Sequence, residues 1–256
     1  MRKAIVAGNW KMYKSPIEAF QFTEAFKTQV SPDGIGLDVC FFPNYLSIPI
    51  VAHELQQHIG VYVGAQNSHA QADGAYTGET SVGMIKDAGA THVLVGHSER
   101  REYFGEDNAQ LLEKTKTVIA QDLTAVYCCG EKLEDRKAGN HFDLVGNQIK
   151  EVVNQIPSDK LRHVVIAYEP VWAIGTGETA TPEQAQEMHA HIRNVLAQQF
   201  GDAANNVSIL YGGSVKPANA KELFSQPDID GGLVGGASLK VADFVEIIKA
   251  MQNVLS

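Results

Sequence analysis

The sequence predicts an α/β protein closed into a (β/α)8 barrel. Three observations carry that reading. Eight short apolar runs are spread along 256 residues. A helix-periodic stretch follows each run. No linker, low-complexity tract or charge block divides the chain. Runs that are apolar throughout, rather than alternating, indicate strands covered on both faces, as in a parallel sheet. Regular alternation of strand and helix sets the class. Eight such units in about 250 residues have the size of one closed barrel. An open doubly wound sheet, the structural competitor, usually has fewer strands and a reversal point. The whole chain, 1–256, is therefore read as a single barrel domain.

The strand runs are residues 4–8, 38–42, 61–65, 92–96, 124–128, 164–168, 207–211 and 231–234. The first helix, 16–28, has Ser15 as N-cap and Pro16 at its first position, where a missing N–H costs nothing. Thr181-Pro182-Glu183-Gln184 repeats that signal and opens a helix running to Gln199. Further helices are expected over 45–57, 81–88, 108–121, 143–155, 217–224 and 242–253. Two connections, 66–80 and 169–181, are too long for simple turns, and long irregular loops in compact domains are usually functional.

Composition narrows the function. Hydrophobic residues make up 44% and charged residues 20%, a globular balance that excludes intrinsic disorder. Thirty acidic against 21 basic residues give a net charge of −9, without the basic stripe that nucleic acid requires. An anionic ligand must be held by local devices: a lysine, a helix N-terminus, backbone N–H groups. No window approaches the roughly 18 apolar residues of a membrane span. The apolar stretch after Arg2 and Lys3 stops at Asn9, too short for a secretion signal. A soluble cytoplasmic protein is expected. Cys40, Cys128 and Cys129 are odd in number, two are adjacent, and no C-x-x-C occurs; they read as reduced, buried thiols.

Barrel active sites lie at the C-terminal ends of the strands. Asn9-Trp10-Lys11 follows the first run, His97-Ser98-Glu99-Arg100 the fourth and Glu169-Pro170 the sixth. Gly212-Gly213-Ser214 follows the seventh and Gly235-Gly236 the eighth. A lysine, a histidine and a carboxylate on one rim form an acid–base set. Glycine-rich turns after the last two strands match a common phosphate-binding corner. Taken singly, each has a plain reading: a solvated lysine, a structural histidine, a strand terminator, ordinary turns. Their coincidence on one rim argues for a site. Other patterns do not reach that level. Gly175-x-Gly177-x-x-Ala180 is separated from its strand by 170–174, so it is no dinucleotide turn. There is no P-loop. His189 and His191 are two apart on a helix and face different ways, and the other histidines are scattered, so no metal site is expected.

Five strings carry a resemblance to the triosephosphate isomerase family. They are Ala7-Gly8-Asn9-Trp10-Lys11-Met12, Val95-Gly96-His97-Ser98-Glu99-Arg100-Arg101, the stretch 167–177 (AYEPVWAIGTG), Tyr211-Gly212-Gly213-Ser214-Val215, and Leu233-Val234-Gly235-Gly236-Ala237-Ser238-Leu239. They occur in order over the whole chain. The resemblance implies a TIM barrel that interconverts dihydroxyacetone phosphate and D-glyceraldehyde 3-phosphate through an enediolate, in glycolysis and gluconeogenesis, with no cofactor or metal. It makes Glu169 the base, Lys11 and His97 the electrophiles, Asn9 an orienting residue and Glu99 the neighbour that holds Lys11. It implies a neutral His97 whose pKa is lowered by the start of a helix, a feature for which this family is the reference case. Phosphate is expected on the N–H groups of Gly175, Ser214, Gly235 and Gly236. Pro170, Val171, Trp172, Ala173, Ile174, Gly175, Thr176 and Gly177 are expected to form a lid with an apolar tip. A homodimer is implied, with the loop 66–80 placing Thr77 near the partner's site. Cys129 and Glu178 depart from the usual pattern, outside the reacting set. The alternative is a catalytically silent, phosphosugar-binding barrel, which need not keep both base and electrophile.

Overall fold

The computed structural model describes residues 2–174 and 179–256. In chain order the principal elements are β1 (Ile5–Asn9), α1 (Pro16–Lys27), β2 (Asp38–Phe42), α2 (Ile48–Leu55), β3 (Val61–Ala65), α3 (Val82–Asp87), β4 (His92–Val95), α4 (Ser98–Phe104), α5 (Asn108–Ala120) and β5 (Thr124–Glu131). They continue with α6 (Leu133–Ala138), α7 (His141–Glu151), β6 (Val164–Pro170), α8 (Pro182–Phe200), β7 (Ser208–Tyr211), α9 (Pro217–Phe224), β8 (Gly231–Val234) and α10 (Val241–Leu255). The strands pair in parallel, in sequence order, and β8 closes onto β1.

Two apolar layers explain why the strand runs do not alternate. Ile5, Ala7, Cys40, Phe42, Leu94, Cys128, Ala167, Leu210 and Leu233 pack inside the barrel. Their neighbours Val6, Val39, Phe41, Val95, Tyr127, Cys129 and Ile166 pack outward beneath the helices. Cys128 and Cys129 thus sit in opposite layers, each buried and free. Helix starts follow the sequence signals. Ser15 and Thr181 each form a reciprocal capping box, with Glu18 and Gln184 respectively. No described helix is long and apolar enough to cross a membrane.

The structure departs from expectation where tertiary pairing overrides local pattern. Expected strands 124–128 and 164–168 extend to Glu131 and Pro170, with Gly130 paired to Glu169 and Glu131 to Pro170. Gly130 and Glu131 close one apolar run and Glu169 the other, but cross-strand pairing carries the ladder past them. The first strand sits one residue later, at Ile5–Asn9, and the fourth stops at Val95 because Gly96 turns away at φ +78°. The stretch 45–57 begins as a 3-10 turn, Tyr45–Ser47, and becomes α-helical only from Ile48, ahead of Pro49. The stretch 143–155 divides into α7 and a 3-10 turn at Val153–Gln155. The short helix α6 is not marked in the sequence, because it has no buried residue to give it a period.

A buried ion cluster joins α8 to the entrance of β8. Arg193 donates to Asp228 Oδ1 at 2.7 Å, to Asp230 Oδ2 at 2.9 Å and to the carbonyls of Ala204 and Val207. Burial raises the Asp230 pKa, against the Ile209 N–H and Arg193, which lower it. Removing one partner of a buried pair costs about 3–5 kcal/mol when the other charge is left alone; here Arg2 Nε, 3.3 Å from Asp230 Oδ1, still faces it. Arg193→Leu is therefore expected to lose stability up to about that much in urea unfolding at neutral pH. Asp230 ionises less readily folded than unfolded, so its charge costs stability above its raised pKa. The deficit should shrink as pH falls through that value; a deficit independent of pH would reject the assignment.

Candidate active site

Strand β1 delivers Asn9 and Lys11 to the C-terminal mouth. Trp10 between them is buried against Phe22 and Phe41, which turns Lys11 to the rim. Lys11 has φ +49°, a left-handed conformation costing roughly 1–2 kcal/mol for a residue with a Cβ. Two hydrogen bonds hold it there: its N–H donates to Asn9 Oδ1 at 2.9 Å, and Gln66 Nε2 donates to its carbonyl at 2.7 Å. The ammonium group then reaches Glu99 Oε1 at 2.5 Å.

Glu99 lies in the first turn of α4, the helix expected to begin at His97. The His97 ring is that helix's N-cap: Nδ1 accepts from the Glu99 N–H at 3.2 Å. Nε2 faces Glu169 Oε1 at 3.0 Å. Glu169, only 2% exposed, accepts from Ser98 N–H at 2.9 Å and from Ser98 Oγ at 3.2 Å. Two glycines make room for it. A Cβ on Gly130 would overlap the Glu169 carbonyl oxygen, and one on Gly212 would come to 3.0 Å from Glu169 Cγ.

Besides the helix start, burial and neighbouring charges act on the His97 pKa. Burial lowers it, but the Glu169 carboxylate, through charge and hydrogen bond, together with Glu99, raises it above the usual 6.5. Conversely, burial raises Glu169, while His97 and the Ser98 donors outweigh that and hold it below the usual 4.5. Above its raised pKa, His97 is neutral, with Nδ1 accepting and Nε2–H donating to Glu169.

Asn9, Lys11, His97 and Glu169 line one cavity of about 330 Å³ together with Ser214, Gly235 and Gly236. The Ser214 carbonyl is fixed by Asn219 Nδ2 at 3.0 Å, and the Gly235 carbonyl accepts from Ser238 N–H and Oγ at 2.8 and 2.7 Å. Those bonds stiffen both turns. The lid residues divide. Pro170 closes β6, and Val171–Ala173 form a 3-10 turn. Ala173 and Ile174 line the cavity. The Trp172 indole N–H donates to Glu131 Oε1 at 2.9 Å, which also accepts from Tyr168 OH at 3.0 Å. Gly175, Thr176 and Gly177, expected for phosphate and lid, lie outside the described residues, as does Glu178. Glu99 lines an adjoining cavity of about 270 Å³ with Met12, Tyr45, Gln66 and Phe104. Among the described residues, no group of three or more His, Cys, Asp and Glu side chains can hold a metal ion.

A family model described as triosephosphate isomerase matches residues 4–251. The chain belongs to the triosephosphate isomerase family. Relatives bearing that name include one from Flavobacterium johnsoniae, 47% identical over 252 residues, covering 98% of this chain and all of the relative. One from Cytophaga hutchinsonii is 48% identical over 255 residues, with 98% and 100% coverage. One from Fusobacterium nucleatum is 48% identical over 251 residues, with 98% and 99% coverage.

Within this member of the triosephosphate isomerase family, the predicted rim residues of β1, α4, β6, β7 and β8 gather at one mouth. Thr77 does not join them; it is exposed on the loop 66–80. Sequence reasoning missed three residues. Ser98 stood inside a quoted string, yet nothing tied it to a carboxylate 71 positions away. Gln66 opens a loop without a motif. Glu131 followed a cysteine pair and carried no signal toward Trp172.

Proposed function

We propose that this protein interconverts dihydroxyacetone phosphate and D-glyceraldehyde 3-phosphate by proton transfer, without a cofactor, in glycolysis and gluconeogenesis. The convergence of Glu169, His97 and Lys11 on one cavity, opposite the glycine-rich turns after β7 and β8, is the observation that carries this reading. The Glu169 carboxylate takes a proton from the carbon beside the substrate carbonyl. Charge develops on the carbonyl oxygen, where the Lys11 ammonium and the His97 Nε2–H stabilise it. His97 moves a proton between the two enediolate oxygens, and Glu169 returns its proton to the neighbouring carbon. Atoms and electrons balance, so neither oxidant nor metal is required. Asn9 orients the substrate oxygen, and Glu99 holds the Lys11 ammonium in place. Backbone N–H groups at Gly175, Ser214, Gly235 and Gly236 take the phosphate, which suits a chain of net charge −9. The segment 170–177 covers the bound substrate. The test is a coupled assay of glyceraldehyde 3-phosphate turnover with no metal or cofactor in the isomerase step. Rapid turnover supports the reading. A folded protein with no turnover would overturn it in favour of phosphosugar binding alone.

The same reading makes the protein a single barrel domain that works as a homodimer, with Thr77 reaching the neighbouring site. Large apolar side chains stand exposed on the β1–β4 side, among them Met12 (94% exposed), Leu46, Tyr76, Met84 and Phe104. The cavity beside Lys11 is lined by two of them, Met12 and Phe104. Exposed apolar area of this kind marks an association surface. Sedimentation is expected to show two chains, and specific activity is expected to fall on dilution below the dimer constant. A fully active monomer at low concentration would reject the role of Thr77. Three buried, free cysteines fit a reducing, cytoplasmic setting.

A further inference from the structure

Helix α4 carries more of the site than its packing explains. His97 caps it, and Ser98 and Glu99 open its first turn, yet none of its seven residues is buried. So short a helix has little stability of its own, and polar contacts to its neighbours must fix its place. Arg101 supplies four of them. Its Nε donates at 2.9 Å to the Gly96 carbonyl, which belongs to the peptide joining β4 to His97. Nη1 donates to Asn108 Oδ1 at 2.7 Å, at the start of α5. Nη2 donates to Tyr127 OH and to the Cys128 carbonyl, each at 3.0 Å, on β5. One planar fork thus ties the β4–α4 turn to two other elements. The turn is also close-packed: a Cβ on Gly96 would come to 2.7 Å from Leu111 Cδ1 and 3.3 Å from Arg101 Nη2. Arg100 beside it bonds to Glu106 instead. Arg101 lines neither of the cavities that hold Lys11 and His97, so none of the steps assigned above uses it.

We propose that Arg101 is a positioning residue for His97: its fork holds the β4–α4 turn so that the ring presents Nε2 to the cavity while Nδ1 stays on the Glu99 N–H. The proposal rests on the reading of His97 as an electrophile. An N–H donor stabilises a developing oxyanion only if its direction is set in advance, and misplacement by about 1 Å can cost about a hundredfold in rate. The same helix carries Glu99, which bonds Lys11, so a shift of α4 disturbs both electrophiles together. The turns expected to take the phosphate belong to β7 and β8 and are held by their own bonds. Lysine cannot stand in for Arg101, because one ammonium on a flexible stem cannot meet all four acceptors. Arg101 touches no substrate and moves no proton.

The experiment compares Arg101→Lys and Arg101→Gln with the unmodified protein, rates being expressed per folded chain. The first readout needs no substrate: the nitrogen NMR resonances of the His97 ring, recorded with the ring neutral. A fixed tautomer has one protonated and one bare nitrogen, whose resonances lie well apart. Both variants are expected to draw the two resonances together. The second readout is the split between kcat and KM for the triose phosphate, alongside inhibition by inorganic phosphate. Both variants are expected to lose about ten- to a hundredfold in kcat. KM and the phosphate inhibition constant are expected to stay within about threefold of the unmodified protein. Unmoved His97 resonances, or a kcat per folded chain within about threefold, would overturn the proposal. Equal losses in kcat and in phosphate binding would also overturn it, since the whole mouth would then have moved. If both variants give little folded protein, Asn108→Ala removes one acceptor of the fork. It is expected to move the same resonances in the same direction, with about a two- to tenfold loss in kcat; no shift there would overturn the proposal. Absence of turnover in the unmodified protein would instead reject the isomerase reading, and the His97 resonances would still decide the role of Arg101.

Discussion

Glu169→Gln is expected to abolish almost all turnover while leaving a folded protein that still binds inorganic phosphate. The amide has the shape of the carboxylate and can accept from Ser98, but it cannot take a proton from carbon. A positioned general base contributes about 10²–10⁴ in rate, so a loss of at least about a hundredfold is expected in the coupled assay. A variant retaining more than about a tenth of the activity would reject Glu169 as the base, since that residue would then supply less than the usual range. The same substitution removes the carboxylate that raises His97, so the imidazole should titrate lower in the variant than in the unmodified protein. Stability provides a third readout. His97, raised when folded, stabilises the protein fully below its usual 6.5, and this is lost as pH rises through the folded value. Glu169, lowered when folded, stabilises it fully above its usual 4.5, and this is lost as pH falls through the folded value. Both conditions hold between 4.5 and 6.5. The stability advantage of the unmodified protein over Glu169→Gln should therefore be largest in that window and decline on either side.

Much of this arrangement is legible in the sequence. The two apolar layers of each strand forbid alternation, so continuous apolar runs marked the strands, and capping boxes marked α1 and α8. The rim residues were legible because a barrel places every strand end at one mouth, so position after a run stands in for position in space. What escaped depends on closure. The bonds from Ser98 to Glu169 and from Trp172 to Glu131 join residues 71 and 41 positions apart, and no local pattern records them. The two strands that ran beyond their apolar runs did so because Gly130 lets the Glu169 backbone come close. The influences on His97 divide in the same way: the helix start is a local feature of the sequence, whereas the carboxylate that raises its pKa against burial arrives from β6. Trp172, read as part of an apolar tip, has a polar edge whose partner lies on β5.

Lys11→Met separates charge from shape at the opposite side of the cavity. Methionine keeps most of the stem, and the left-handed backbone at φ +49° is strained equally for either residue. What disappears is the ammonium group that faces the cavity from Glu99. That cation serves twice in the proposed reaction. It offsets the charge of a phosphorylated substrate in both ground state and transition state, and it meets the negative charge that develops on the carbonyl oxygen only in the transition state. Loss of the first effect raises KM, and loss of the second lowers kcat. Removing one preorganised oxyanion donor typically costs about 10²–10³ in kcat, so kcat/KM should fall by more than either effect alone. Stability should barely respond. The Glu99 side chain is 40% exposed, so water can replace its lost partner, and exposed pairs contribute only about 0–1 kcal/mol. A variant with KM and kcat both within about threefold of the unmodified protein would reduce the Lys11–Glu99 pair to a surface ion pair of that size. A variant that lost activity only through KM would show that Lys11 recognises the dianion and leaves the oxyanion to His97. In that case the neutral Nε2–H of His97 would carry the transition-state charge, and His97→Gln, which retains an N–H donor, should then impair kcat more than Lys11→Met does.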